Sequence, residues 1–214
     1  MNNIITIKGV GLMSVKPDYV EINVVLRTFN KSYEKAYKEA VEKNQKIIDL
    51  ITKISFKKED LKTRNFNVNS EYESITDEQG RYKNVFTGYT VIHELKLAFD
   101  MEMDRLSEVM VALSESQLEP ELNIRFTIKN PKYISAELLK LATEDAKKKA
   151  EILCEAAGKT LGELINIDYT WTDINLYSDS DYSPRMMKAE SVSLDMEAEE
   201  IKLEDTVDFV WELK

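Results

Sequence analysis

Cysteine is nearly missing from this 214-residue chain: Cys154 stands alone, so no disulfide can close within one copy. Histidine is equally scarce, with His93 its one example. One of each cannot supply the Cys and His ligands of a zinc site, and no metal residue is assigned. Long apolar runs are absent as well. None approaches the roughly 20 residues that span a bilayer, so no integral membrane segment is expected. Basic residues are in deficit, 29 against 39 acidic, for a net charge of -10. From Thr172 to Lys214 twelve acidic residues face four basic ones, which places most of the imbalance there. An acidic surface repels phosphate backbones, which argues against nucleic acid as a partner. An anionic membrane surface is disfavoured on the same ground. The start, Met1-Asn2-Asn3-Ile4-Ile5-Thr6, lacks the basic residues and long apolar stretch of a secretory signal, and the expectation is a cytoplasmic protein.

What is present is ordinary for a folded domain: 43% hydrophobic and 32% charged residues. The length suits a single domain over 1–214. Alternation predicts a first strand at Ile4–Gly9, a turn at Pro17-Asp18, and a second strand with Val20, Ile22, Val24 and Leu26 on one face. The period then changes to about 3.6. Tyr33, Ala36, Tyr37, Ala40, Ile47, Ile48 and Ile51 mark a long helix, with Asn30 or Ser32 as its cap. Phe66–Tyr72 and Phe86–Phe99 read as strands flanking a polar stretch with Gly80. A short helix carries Leu106, Val109, Met110 and Leu113, and Ile124, Phe126 and Ile128 make a fifth strand.

Asn130-Pro131 is a strong helix start and Gly158 a natural stop. Between them Leu138, Ala142, Ala146, Ala150, Leu153 and Ala157 form the stripe expected to face a sheet. Leu164–Tyr169 predicts a sixth strand. Residues from about 172 to 200 read as a long acidic loop. Val207, Phe209, Trp211 and Leu213 close the chain as a last strand. The order strand-helix-strand-strand occurs twice, over 18–99 and 121–213. The fold expected is therefore α+β, mainly antiparallel sheet carrying long helices, with an internal repeat of topology.

Several short motifs resemble the SIMPL-domain family, long catalogued as a domain of unknown function. They are Gly9-Val10-Gly11 followed by Pro17-Asp18, Gly88-Tyr89 opening a strand, Asp145-Ala146 with Ala150 and Leu153, Gly158 with Leu161-Gly162, and the closing Val207, Phe209 and Trp211. They run in the family's order over nearly the whole chain. The resemblance implies an α+β fold, a tendency to self-associate and no established catalytic residues. It also implies frequent export to the bacterial envelope and, for some members, links to stress tolerance or signalling. Two departures stand out. Ser116-Gln117 replaces the family's usual glycine after the short helix, and Cys154 stands where alanine is common.

Candidate chemistry is thin. Gly9 and Gly11 share a strand face and permit close backbone approach; no helix follows at once and no third glycine completes a dinucleotide motif. His93 falls on the apolar face of its strand, and Cys154 in the alanine-rich helix, so both read as core residues rather than as a dyad. Asp179, Asp181, Ser183 and Glu190 fit positions of a calcium loop, but Pro184 occupies the place of its turn glycine. Glu199-Glu200 and Glu204-Asp205 are carboxylate pairs without a cleft to hold them. Trp171, Tyr177 and Tyr182 could form a binding surface or cover the core. No catalytic or cofactor-binding residue is assigned and no cofactor is implied. The function expected is a non-enzymatic interaction and assembly module, a homo-oligomer with a possible further protein partner. The alternative is a ligand-binding protein or enzyme with a pocket between sheet and helix.

Overall fold

Alternating burial runs along most strands, because successive side chains point to opposite faces of a sheet. The computed structural model describes residues 3–76, 80–170, 174–180 and 197–214. Among these residues seven strands and three α-helices follow in order: β1 (Ile4–Val15), β2 (Tyr19–Asn30), α1 (Tyr33–Lys53), β3 (Leu61–Thr76), β4 (Tyr82–Asp100), α2 (Met103–Glu115), β5 (Glu121–Thr127), α3 (Pro131–Ala156), β6 (Leu161–Asp168) and β7 (Ile201–Leu213). This is the α+β class expected. The chain divides into two units. The first comprises Met1–Asp18, Phe126–Asp179 and Ala198–Lys214, and the second is built on Tyr19–Arg125.

In the first unit a three-stranded sheet has the order β1-β7-β6. β1 and β7 pair antiparallel from Ile4↔Glu212 to Val15↔Ile201. Ile201, Leu203, Val207, Phe209 and Trp211 of β7 are buried. α3 lays Ala142, Ala146 and Ala150 against Ile7, Val207, Phe209 and Trp211, and Ile134 and Leu138 against Ile128, Ile201 and Leu203. The closeness depends on Gly9 and Gly11. A Cβ on Gly9 would sit 2.0 Å from the Ala142 carbonyl oxygen, and one on Gly11 would sit 2.1 Å from that of Leu138. Asp145 fastens the contact, its Oδ2 accepting the Val10 N–H at 2.8 Å. Asp18 does similar work at the turn: its Oδ1 accepts the Lys129 N–H at 2.7 Å.

In the second unit the order is β3-β4-β2-β5. Val20, Ile22, Val24 and Leu26 of β2, with Val91, Leu95, Leu97 and Phe99 of β4, are buried. α1 packs on these two strands through Ala36, Ala40, Ile47 and Ile51. Ser32 is its N-cap residue but makes no side-chain cap bond; Asn30 Oδ1 accepts the Ser32 N–H instead, at 3.0 Å.

The structure corrects one expectation and adds two features. Leu153 is half exposed, and the buried stripe of α3 continues through Cys154, four residues on from Ala150. Second, β5 hydrogen-bonds within the sheet of β2, while β1 takes the place beside β7. Third, part of the expected acidic loop is tied down: Ile174 and Leu176 pack on the Ile134–Leu138 cluster, and the Ser178 N–H donates to the Phe126 carbonyl at 2.9 Å. The rest of that loop, including 181–196, lies outside the described residues.

Candidate functional site

Two surfaces stand out, one in each unit. In the second unit, β3 and β4 form a long hairpin paired from Leu61↔Leu97 to Thr76↔Tyr82, with irregularities at Thr63/Asn65 and Glu71/Tyr72. α1 covers only its inner half. There Tyr33 packs edge-on against Tyr89 at 5.6 Å, and Tyr37 against Phe66 at 6.0 Å. The aromatic row then runs on past the helix. Phe86 lies 5.1 Å from Tyr89, and Tyr72 lies 5.7 Å from Phe86. On this outer arm Tyr72 is 61% exposed and Tyr82 85%, and Ile75, Val85 and Phe86 are exposed too. Edge-to-face pairs stiffen such a row, but they do not remove it from water. β3 is also an edge strand of its sheet.

In the first unit a groove of about 510 Å³ opens between α3 and the β6–β7 side of the sheet. Leu139, Thr143 and Lys147 line it from the helix, and Leu164, Ile167, Val207, Phe209 and Trp211 from the strands. Phe209 and Trp211 stack with ring centres 5.3 Å apart. At one end the Tyr169 hydroxyl donates to Asp205 Oδ2 at 3.0 Å. Burial, then the hydrogen bond to this carboxylate, raises the pKa of the Tyr169 phenol. The buried Asp205 also accepts from the Thr206 N–H through Oδ1 at 2.8 Å.

Most of the candidate residues singled out from sequence lie off these surfaces; Asp205 meets one end of the groove through Tyr169. His93 is buried, with Nε2 3.1 Å from Thr63 Oγ1 and its ring edge-on to Phe66 at 5.0 Å. Its Nδ1 has no partner among the described residues. A buried lone pair is tolerated better than a buried orphan N–H, which favours the tautomer in which Nε2–H donates to Thr63. Burial lowers the His93 pKa, so the ring is neutral at pH 7. Cys154 is buried within α3. Both residues are accounted for by packing inside their own units.

The carboxylate pairs are split by their faces. Glu204 is exposed while Asp205 points into the core. Glu200 accepts the Ser14 hydroxyl at 2.6 Å. Asp179 and Tyr177 are exposed. Asp181, Ser183, Pro184 and Glu190 of the calcium pattern, with Trp171 and Tyr182, lie outside the described residues. Among the described residues no three His, Cys, Asp or Glu side chains gather as a metal site would need. None of their helices is long and apolar enough to cross a membrane.

Sequence reasoning missed the hairpin surface, and it offered a pocket between sheet and helix as the alternative without placing it on any residue. The signal for the first was the density of aromatics on either side of Gly80: Phe66, Tyr72, Tyr82, Phe86 and Tyr89. The groove had no signal in the periodicity of β6: Leu164 and Ile167 stand three apart, off the strand period of two, and both line it beside the pairing irregularity between Leu164 and Asn166.

Among the proteins similar to this chain are two from Brucella. The 26 kDa periplasmic immunogenic proteins of Brucella melitensis and Brucella abortus are each 26% identical to it over 166 residues, which is 76% of this chain and 65% of theirs. The family model for SIMPL, described as a protein of unknown function (DUF541), matches residues 5–211. That span is nearly the whole chain, and the chain therefore belongs to the SIMPL family.

Proposed function

We propose that this chain is a non-enzymatic self-assembly module whose copies join through the outer arm of the β3–β4 hairpin. One observation carries the reading: the arm presents Tyr72, Ile75, Tyr82, Val85 and Phe86 to solvent, with no helix of the described residues over them. A two-stranded ribbon is marginal alone in water, and apolar side chains on it gain by burial against a partner. The outer edge of β3 adds unpaired N–H and C=O groups, a template for a strand from another chain. A second copy is the occupant proposed, because it presents the same ribbon and the same edge. Another protein partner could use the same arm.

The relatives' names point to export. The proposal therefore includes work in the periplasm, and the cytoplasmic placement expected from the N-terminus is not carried forward. Light scattering after size exclusion over a dilution series tests assembly. The double variant Tyr72→Ser/Phe86→Ser is expected to be a folded monomer where the parent is an oligomer. A parent that stays monomeric at high concentration rejects the proposal.

A further inference from the structure

α3 is not centred over its sheet. Gly9 and Gly11 take the side chains of β1 out from beneath it, and the helix backbone settles within a Cβ's reach of that strand. The helix packs mainly on β1 and β7 and only marginally on β6. The opposite side of the sheet is left open, with Leu164 and Ile167 of β6 about half exposed beside the stacked Phe209 and Trp211. The groove is a geometric consequence of the glycines. Its volume of about 510 Å³ falls in the range of roughly 300–1,000 Å³ typical of small-molecule sites.

The polar groups on its wall narrow the ligand. The Thr143 hydroxyl is engaged, donating to the Leu139 carbonyl at 2.7 Å, and the Tyr169 hydroxyl is engaged with Asp205. Lys147 is exposed and makes no ion pair or hydrogen bond among the described residues. The other lining side chains are apolar. We infer that this groove binds a small amphiphile: an apolar acyl or aryl body on Leu139, Leu164, Ile167 and Trp211, with one anionic head on the Lys147 ammonium. A carboxylate accepts a charge-assisted hydrogen bond there, an alcohol only a neutral-acceptor one, and an amine head is repelled. The groove belongs to the first unit and the hairpin arm to the second, and the inference does not depend on the assembly proposal.

Calorimetry on the full chain tests it with four probes: octanoate, 1-octanol, octylammonium and 2-naphthoate. The expected result is one saturable site per chain, with octanoate bound about fivefold tighter than octanol, the scale of one exposed ion pair. Lys147→Glu should reverse the order of octanoate and octylammonium. Ile167→Asp should weaken octanoate, 1-octanol and 2-naphthoate by about tenfold, as loss of an apolar wall predicts, and leave the circular dichroism and melting temperature unchanged. Naphthoate binding without octanoate would identify the body as aryl, the reverse as acyl, and either supports the site. Three outcomes overturn it: no saturable binding by any probe, equal binding of octanoate and octanol that ignores Lys147→Glu, or dissociation of an oligomer by Ile167→Asp, which would mean that a second copy fills the groove.

Discussion

The two sheets differ in how far a helix reaches along them. α3 has 26 residues and β7 has 13. At about 1.5 Å per helical residue and about 3.3 Å per strand residue, both span roughly 40 Å. α1 has 21 residues, about 30 Å, against the 19 residues of β4, about 60 Å. Burial follows this arithmetic. On β7 every second residue from Ile201 to Trp211 is buried, whereas on β4 the alternating buried side chains run from Val91 to Phe99, and those before Gly88 are exposed. Along the strand direction one sheet is matched to its cover and the other outruns it. The excess is the aromatic arm to which assembly is assigned.

The sharpest way to break this comparison is to truncate one aromatic on each side of it. Phe209→Ala should cost about 3–5 kcal/mol of stability, the usual price of a large core deletion. Phe86→Ala should change the stability of the monomer by less than about 1 kcal/mol. Urea denaturation of both at one dilute concentration checks the pair. Equal losses would mean that the arm is covered. Gly9→Val tests the close seat of α3, since its Cβ would meet a backbone oxygen that cannot swing aside. A loss of about 1–3 kcal/mol or more is expected in the same assay.

His93 gives a pH test of the inner half of the hairpin. Its folded pKa lies below the ordinary value of 6.5 because the ring is buried. Above 6.5 both the folded and unfolded chains hold it neutral, and it adds no pH dependence. Below that value the unfolded chain takes up a proton that the buried ring refuses. Stability should therefore fall as pH drops from 6.5 to the folded pKa, and then level. His93→Phe should remove this part of the slope in urea titrations at pH 7 and pH 5.

The smallest effect expected is a gain. Gln117 holds a left-handed φ of 55° just after α2, where its side chain is strained and glycine is not. Gln117→Gly should stabilise the protein by about 0.5 kcal/mol, read as a small rise in urea midpoint.

The elements were legible in the sequence because periodicity is local. Val20 to Leu26 and Tyr89 to Phe99 alternate, and Asn130-Pro131 and Gly158 bracket α3. Pairing partners were not. Alternation marks β1 and β5 equally as strands and does not say which one lies beside β7. The α3 stripe slipped by one residue at Leu153 because a 3.6 period permits a step of three or four, and the packing takes four, to Cys154. The surfaces were hidden for a related reason. Tyr72 continues the alternation of Phe66 and Val68 as Phe209 and Trp211 continue that of Val207; what separates them is the end of α1, which only the packed structure supplies.

Light scattering after size exclusion across a dilution series, at low and at raised salt, is the most direct test of the arm. The account predicts a parent oligomer that strengthens as salt screens the charge of -10 carried by each copy, and a folded monomer for Tyr72→Ser/Phe86→Ser under the same conditions. A parent that remains monomeric at every concentration and salt, or an oligomer indifferent to the double substitution, would contradict it.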